Sequence, residues 1–419
     1  LSSYCRISYI KKEKTRILNE YTKNTGHNRR YVITVLNANA VWANNGEDKI
    51  TRDELRATQN PAGTLNSVWD GNKIKIFGGK NEVVNFNLIL EAGTQTVSNV
   101  SVSFDKLTGP NGATISSLST SGNGVFDWTN RNIELFYVKY LQIKGLSRMS
   151  YETYDERHIP TRMRRPFSGN GLGSGTWNDR PDHDKYYPDI AVPLELQPTF
   201  SIASSQNQSI WADVYIPKSA PAGLYQGIVS VKENGTVSKQ IQVELTVRNF
   251  SLPDMPNSKT MVYISRENIS KRYTGSAWPN VGTAEDTLAK KVRDEHFQLA
   301  HRHKISLIDA DATSSNQPSA EWGPRLTGAL FTAANGYVGP GENIGNGVYS
   351  IGTYGSWGWK WEGEAGMRAH SDSWVNWFNA NSPTTEYFLY LIDESSDYPQ
   401  IQSWASWIQN NTGPGKMLK

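Results

Sequence analysis

The sequence predicts a multidomain β and α/β protein, with an N-terminal antiparallel β-sandwich followed by an incomplete TIM (β/α)8 barrel. Three observations lead there. Residues 72–90 and 223–247 alternate apolar and polar positions, as strands with one buried face do. Beyond residue 258, short apolar runs alternate with segments of helical period, the grammar of a parallel sheet. The 419 residues also leave room for two or three domains at roughly 150 residues each.

Composition narrows the function classes. The chain is 37% hydrophobic and 11% aromatic, enough for packed cores. Lys+Arg 43 against Asp+Glu 40 leaves a net charge of +3, so the usual electrostatic argument for a nucleic-acid partner is missing. No run of 18 apolar residues occurs, and no membrane span is expected. Cys5 is the single cysteine, which excludes an intrachain disulfide and a cysteine-cluster metal site. The 35 Gly, 14 Trp and 20 Tyr fit a secreted or cell-surface protein that handles carbohydrate. No cofactor and no metal are expected.

Residues 1–65 read as a leader or extension. Lys11, Lys12, Lys14 and Arg16 precede the short apolar run Tyr31–Leu36, which are parts of a signal peptide, although Asn37 and Asn39 interrupt it. Residues 66–250 read as the sandwich. Ile74 and Ile76, then Val84, Phe86, Leu88 and Leu90, mark strands, and Asn234-Gly235 is a hairpin signal between apolar runs. Ile241, Val243, Leu245 and Val247 share one face of the last strand. A loop-rich insert, 151–190, carries Arg162, Arg164, Arg165, Asp179, Asp182, His183, Asp184 and Asp189; it reads as a solvated loop, because no fixed ligand spacing is present.

Pro253 and Pro256 mark a linker over 251–257. From 258 to 419 the expected order is strand Met261–Ile264, helix Thr283–His303, strand Ile305–Ile308, strand Val348–Tyr354, a helix from Ser373, strand Tyr387–Ile392, helix Gln400–Gln409, and a fifth strand starting at Lys416–Leu418. Leu288, Val292, Leu299 and His303 are spaced for one face of the first helix. Such a segment is about half a barrel and leaves unpaired edges. It is therefore read as a piece of a longer protein, or as one that self-associates or takes the other half from a partner.

A barrel's chemistry lies at the C-terminal ends of its strands, and the fourth strand runs into Asp393-Glu394. Adjacent acids there suit glycoside hydrolysis, one giving a proton to the leaving oxygen and one steadying positive charge. The alternative is a helix N-cap, with Asp393, Glu394, Ser395 or Ser396 opening the next helix. After the third strand, Tyr354, Trp357, Trp359 and Trp361 are interleaved with Gly355 and Gly358. Their rings suit stacking on a sugar, or packing in a core.

Three parts of the chain carry a resemblance. Phe77–Leu90 (FGGKNEVVNFNLIL), Asn207–Val231 (NQSIWADVYIPKSAPAGLYQGIVSV) with Val243–Pro256 (VELTVRNFSLPDMP), and the YLIDES segment Tyr390–Ser395 resemble a large bacterial group related to glycoside hydrolase family 123. The resemblance spans about 66 to 419, with residues 1–60 outside it. It implies a β-sandwich followed by a TIM barrel, and β-N-acetylgalactosaminidase activity by substrate-assisted retention on a glycan substrate. It further implies that Asp393 orients the substrate's acetamido group and that Glu394 is the general acid/base. The family's usual proline after the pair is replaced here by Ser395-Ser396. Two other functions stay open: a non-catalytic surface or filament-forming protein, and a carbohydrate-binding protein without turnover.

Overall fold

The computed structural model describes residues 38–117, 124–144, 155–159, 161, 164–174, 177–179, 183–311 and 316–419. The basic cluster and apolar run of the expected leader, Cys5, Arg162 and Asp182 lie outside the described residues. Among the described residues, twelve strands precede residue 252: β1 (Ala38–Asn44), β2 (Lys73–Lys80), β3 (Glu82–Ala92), β4 (Val97–Ser103), β5 (Lys106–Thr108), β6 (Thr114–Ser116), β7 (Ile133–Gln142), β8 (Tyr186–Pro193), β9 (Phe200–Ile202), β10 (Asn207–Ile216), β11 (Gly223–Glu233) and β12 (Thr236–Ser251). One sheet has the order β1-β3-β10-β7-β8, antiparallel throughout. The other has the order β2-β12-β11-β4-β9, with β5 and β6 paired alongside β11. Its β2 runs parallel to β12, so this sheet is mixed.

Alternation explains the packing. In β12, Ile241, Val243, Leu245 and Val247 are buried while Gln242 and Arg248 are exposed. They meet Phe86, Leu88 and Leu90 of the facing sheet in one core. Asn234 and Gly235 take φ of +49° and +77°, the left-handed pair that a tight hairpin between β11 and β12 requires. Residues 38–64 precede the point where the sandwich was expected to begin, yet they are part of its body. Trp42 of β1 is in the core and its Nε1 donates to Glu91 Oε1 at 2.8 Å. Glu91 also accepts the amides of Ala57 and Thr58 at 2.9 and 2.8 Å, which ties the one-turn helix α1 (Arg56–Gln59) to β3. A fully buried carboxylate is tolerated there because three donors satisfy it.

After residue 258 the elements are β13 (Val262–Tyr263), α2 (Arg266–Thr274), α3 (Ala284–Arg302), β14 (Leu307–Ile308), α4 (Gly323–Thr327), β15 (Val348–Ile351), α5 (Gly363–Asn381), β16 (Glu386–Leu389) and α6 (Tyr398–Gln409). Thr283 caps α3, its hydroxyl accepting the Asp286 amide at 3.2 Å. The buried face of α3 is not the expected one. Leu288 and Leu299 are exposed, and Ala289, Val292, Arg293, Phe297, His301 and Arg302 face inward. The helix is oriented by buried arginines and their carboxylate partners, which an apolar count does not register.

The expected fold class is corrected here. The described chain is mostly β with few helices, and its C-terminal part forms no (β/α)8 barrel. The parallel strands come as two separate pairs, β13–β14 and β15–β16. Both residues of β13 are exposed, whereas a barrel strand is covered on both faces. Between β14 and β15 no ladder forms. The Asn346 side chain bridges them instead, donating to Leu307 O at 2.9 Å and Val348 O at 2.7 Å. Lys416–Leu418, expected to open a fifth strand, instead lie in and just after the 3-10 turn Pro414–Met417, and Lys419 O accepts the Leu389 amide at 2.8 Å. No helix among the described residues is long and apolar enough to cross a membrane.

The two parts are joined by buried charge. Glu134 of β7 accepts Trp128 Nε1 at 3.0 Å, Arg131 Nη1 at 3.1 Å and, from the end of α3, Arg302 Nε at 3.1 Å. The Arg302 guanidinium lies 5.4 Å from the Trp128 ring centre and 5.3 Å from that of Tyr215. Trp128 itself belongs to the C-terminal core, edge-on to Tyr337 at 5.9 Å. Removing the shared carboxylate leaves Arg302 buried without an ion-pair partner, while Arg131 keeps Glu195 at 2.6 Å. Glu134→Ala is therefore expected to cost about 3–5 kcal/mol of unfolding free energy, with Glu134→Gln losing less; urea denaturation of both variants measures the difference.

Candidate functional site

The ends of the strands in the two parallel pairs bring one set of residues close together. Tyr263 ends β13, Asp309 follows β14, Tyr354 follows β15, and Tyr390 with Asp393-Glu394 follows β16. The tyrosine rings touch in series, Tyr263 to Tyr354 at 5.1 Å and Tyr354 to Tyr390 at 5.7 Å. Tyr354 is half-exposed. The Tyr390 hydroxyl donates to Asp393 Oδ1 at 2.8 Å, and that carboxylate holds the phenol above its usual range.

Asp393 and Glu394 both sit exposed at this edge. Glu394 is held at φ +47° and Tyr354 at φ +57°, left-handed conformations that a non-glycine residue keeps only when its surroundings impose them. The surroundings are visible. Gly352 has φ +62°, and a Cβ there would stand 2.6 Å from Cβ of Trp357. Trp357 is fully buried, and its Nε1 donates to Leu391 O at 2.8 Å. The loop after β15 thus grips the loop that carries the acids. The helix-cap alternative is not what forms: Asp397 caps α6, its carboxylate accepting the Gln400 amide at 3.2 Å.

Of the four aromatic residues expected to meet sugar, the structure separates two from two. Tyr354 and Trp361 are exposed, Trp361 packing edge-on against Trp404 at 5.9 Å. Trp357 and Trp359 are core residues, and Trp359 stacks on His370 at 4.9 Å. Their glycine-rich spacing serves tight packing, and neither offers a face to a ligand. A general acid needs burial or a neighbouring negative charge to keep its proton near neutrality. Asp393 is adjacent to Glu394, but the burial is absent.

Below the edge lie two carboxylates missed in the sequence. Asp309 and Asp311 follow the apolar run Ile305–Ile308 just as Asp393-Glu394 follow theirs, and that parallel was the available signal. Asp309 is 1% exposed. Its Oδ1 accepts Trp322 Nε1 at 2.9 Å, while Oδ2 has no hydrogen bond and stands 3.9 Å from Nη1 of the buried Arg325. Asp311 accepts the Tyr349 hydroxyl at 2.7 Å and the Ser319 amide at 2.9 Å. Thr353 Oγ1 donates to Asp309 O at 2.9 Å, linking this layer to the Tyr354 loop.

Burial, then the nearby Asp311 charge, push the Asp309 carboxyl up to about 6, against the pull of Arg325 and Trp322. Between the ordinary carboxylate value and 6 the folded chain binds more protons than the unfolded one, so this group's contribution to stability falls as pH rises through that window. Asp309→Asn is expected to be more stable than the parent above pH 6, by about 1–3 kcal/mol, and equal to it below the ordinary carboxylate value. Urea unfolding at pH 3.5 and pH 8 tests this; a variant less stable at pH 8 contradicts it.

No protein-family model matches the chain, and no curated protein matches it. Among solved structures, a family 123 glycoside hydrolase from Clostridium perfringens is similar at 15% identity and a TM-score of 0.41, over 64% of this chain and 37% of that one. The chain thus spans little more than a third of that enzyme's length. The sialic acid binding region of a Streptococcus sanguinis adhesin is similar at 11% identity and a TM-score of 0.18, over 51% of this chain and 39% of that one. Both are distant structural relations.

Proposed function

We propose that this protein is a secreted or cell-surface glycan-processing protein that works at the shared edge of its parallel strands. Asp393 and Glu394 act there on a β-linked N-acetylhexosamine, with N-acetylgalactosamine the expected sugar. The observation that carries the reading is the acid pair itself. It is not used as a helix cap, Glu394 is held in a left-handed conformation, and the half-buried Tyr390 bonds Asp393 with the exposed Tyr354 ring beside it. In the reaction, the substrate's own acetamido oxygen attacks the anomeric carbon. Asp393, fixed by Tyr390, orients that group, and Glu394 protonates the departing glycosidic oxygen. Tyr354, and Tyr263 behind it, form the sugar-facing wall.

A second reading, glycan binding without turnover, is favoured by the exposure of both acids. One experiment separates the two. Release from a chromogenic β-N-acetylgalactosaminide is measured for the parent protein, Glu394→Gln and Tyr354→Ala, alongside glycan binding. Hydrolysis predicts that Glu394→Gln loses about 10²–10⁴ in kcat while still binding. Tyr354→Ala should raise KM severalfold. Binding without release, weakened by Tyr354→Ala, selects the second reading. Release that is equal in Glu394→Gln removes the acid assignment.

A further inference from the structure

A further cavity lies on the sandwich, lined by none of the strand-end tyrosines. A cavity of about 520 Å³ opens between β7, β9 and the start of β10, and Arg52 enters it from the segment after β1. Its size is that of a small-molecule pocket and far exceeds what one inorganic oxyanion fills. Arg52, Lys139 and Tyr137 line it, and no Asp or Glu does. Among the described residues, neither the Arg52 guanidinium nor the Lys139 ammonium has an ion-pair or hydrogen-bond partner, and Arg52 Nε is buried without one. Two cations gathered without an acid partner make an unmatched positive field, which an anionic ligand would complete.

The site is also built in advance. Arg52 N donates to Tyr186 O at 3.0 Å, and Arg52 O accepts the Asn207 amide at 2.9 Å. The Asn207 side chain holds the preceding residue by donating to Thr51 O at 2.8 Å. The guanidinium rests 4.4 Å over the Tyr186 ring, so its position is set by stacking while its hydrogen-bonding edge stays free. Tyr137 stands close enough to feel that charge, and its ring packs on Phe200 at 5.2 Å. The Gln206 and Ser201 side chains also line the cavity, offering amide and hydroxyl groups to a polyhydroxylated ligand.

We propose that this cavity binds an acidic saccharide, a mono- or disaccharide whose carboxylate pairs with Arg52 and Lys139 while its hydroxyls meet the amide and hydroxyl lining. The site is independent of Asp393 and Glu394. The test is calorimetric titration of the protein with a glucuronic acid-terminated disaccharide, its neutral glucose-terminated counterpart and sodium sulfate. The acidic sugar is expected to bind at least tenfold more tightly than the neutral one and than sulfate. Lys139→Gln, at an exposed position that keeps the fold, should weaken it severalfold, and Arg52→Gln at least tenfold. Glu394→Gln should leave it unchanged, so failure here and failure of the hydrolase reading are told apart. Equal affinity for sulfate, equal affinity for the neutral sugar, insensitivity to Lys139→Gln, or no binding at all each overturns the proposal.

Discussion

The architecture depends on one carboxylate shared between two cations. Glu134 sits on a sandwich strand, yet one of the arginines it holds comes from the end of the long helix in the C-terminal part. Without that bond, Arg302 would face the indole of Trp128 with no ion-pair partner, only the charge of nearby Asp213. Such a network adds little net stability over a well-packed apolar contact, but it tolerates few alternative geometries. Asp254 repeats the device at a second point. It accepts Asn81 Nδ2 at 2.9 Å from the sandwich and the Gly341 amide at 3.1 Å from the other side. The helix end is thereby fixed, and the short strand β14, which follows it, is fixed as well.

The C-terminal part carries a comparable network of its own. Glu321 accepts Arg293 Nε at 2.6 Å and also pairs with Arg325 and Arg266. Burial alone would raise its carboxyl, and the three guanidiniums more than offset this and bring it to about 2. Asp309 is the odd member, with one oxygen left unmet beside the same Arg325. The unmet oxygen is a local cost that the better-paired Glu321 network beside it does not carry.

What was legible in the sequence follows from which physical signals are local. Alternation in β12 and the Asn234-Gly235 turn are set by neighbours two residues away, and they could be read directly. The acid pair could be located because an apolar run ended there. The barrel could not be judged, because whether strands β13 to β16 close a ladder depends on contacts far apart in sequence, which periodicity does not encode. The α3 face was misread for a related reason: Arg293 and Arg302 are interior residues only by virtue of partners far along the chain. Trp357 and Trp359 were assigned to a ligand because aromatic-glycine spacing does not distinguish a platform from a tight core turn. Tyr390 and Tyr263 went unnoticed, since single tyrosines within apolar runs carry no mark of the edge they reach.

The grip of Trp357 on the carbonyl of Leu391 makes the two loops mechanically one piece. Gly355 adds to this, since a Cβ on it would come within 3.0 Å of the Ile392 Cα. A molecule pressing on Tyr354 therefore pushes on the segment that carries Glu394, and lengthening either loop would displace both. The geometry of this edge is thus set jointly by the two loops, and neither can be exchanged without disturbing the other.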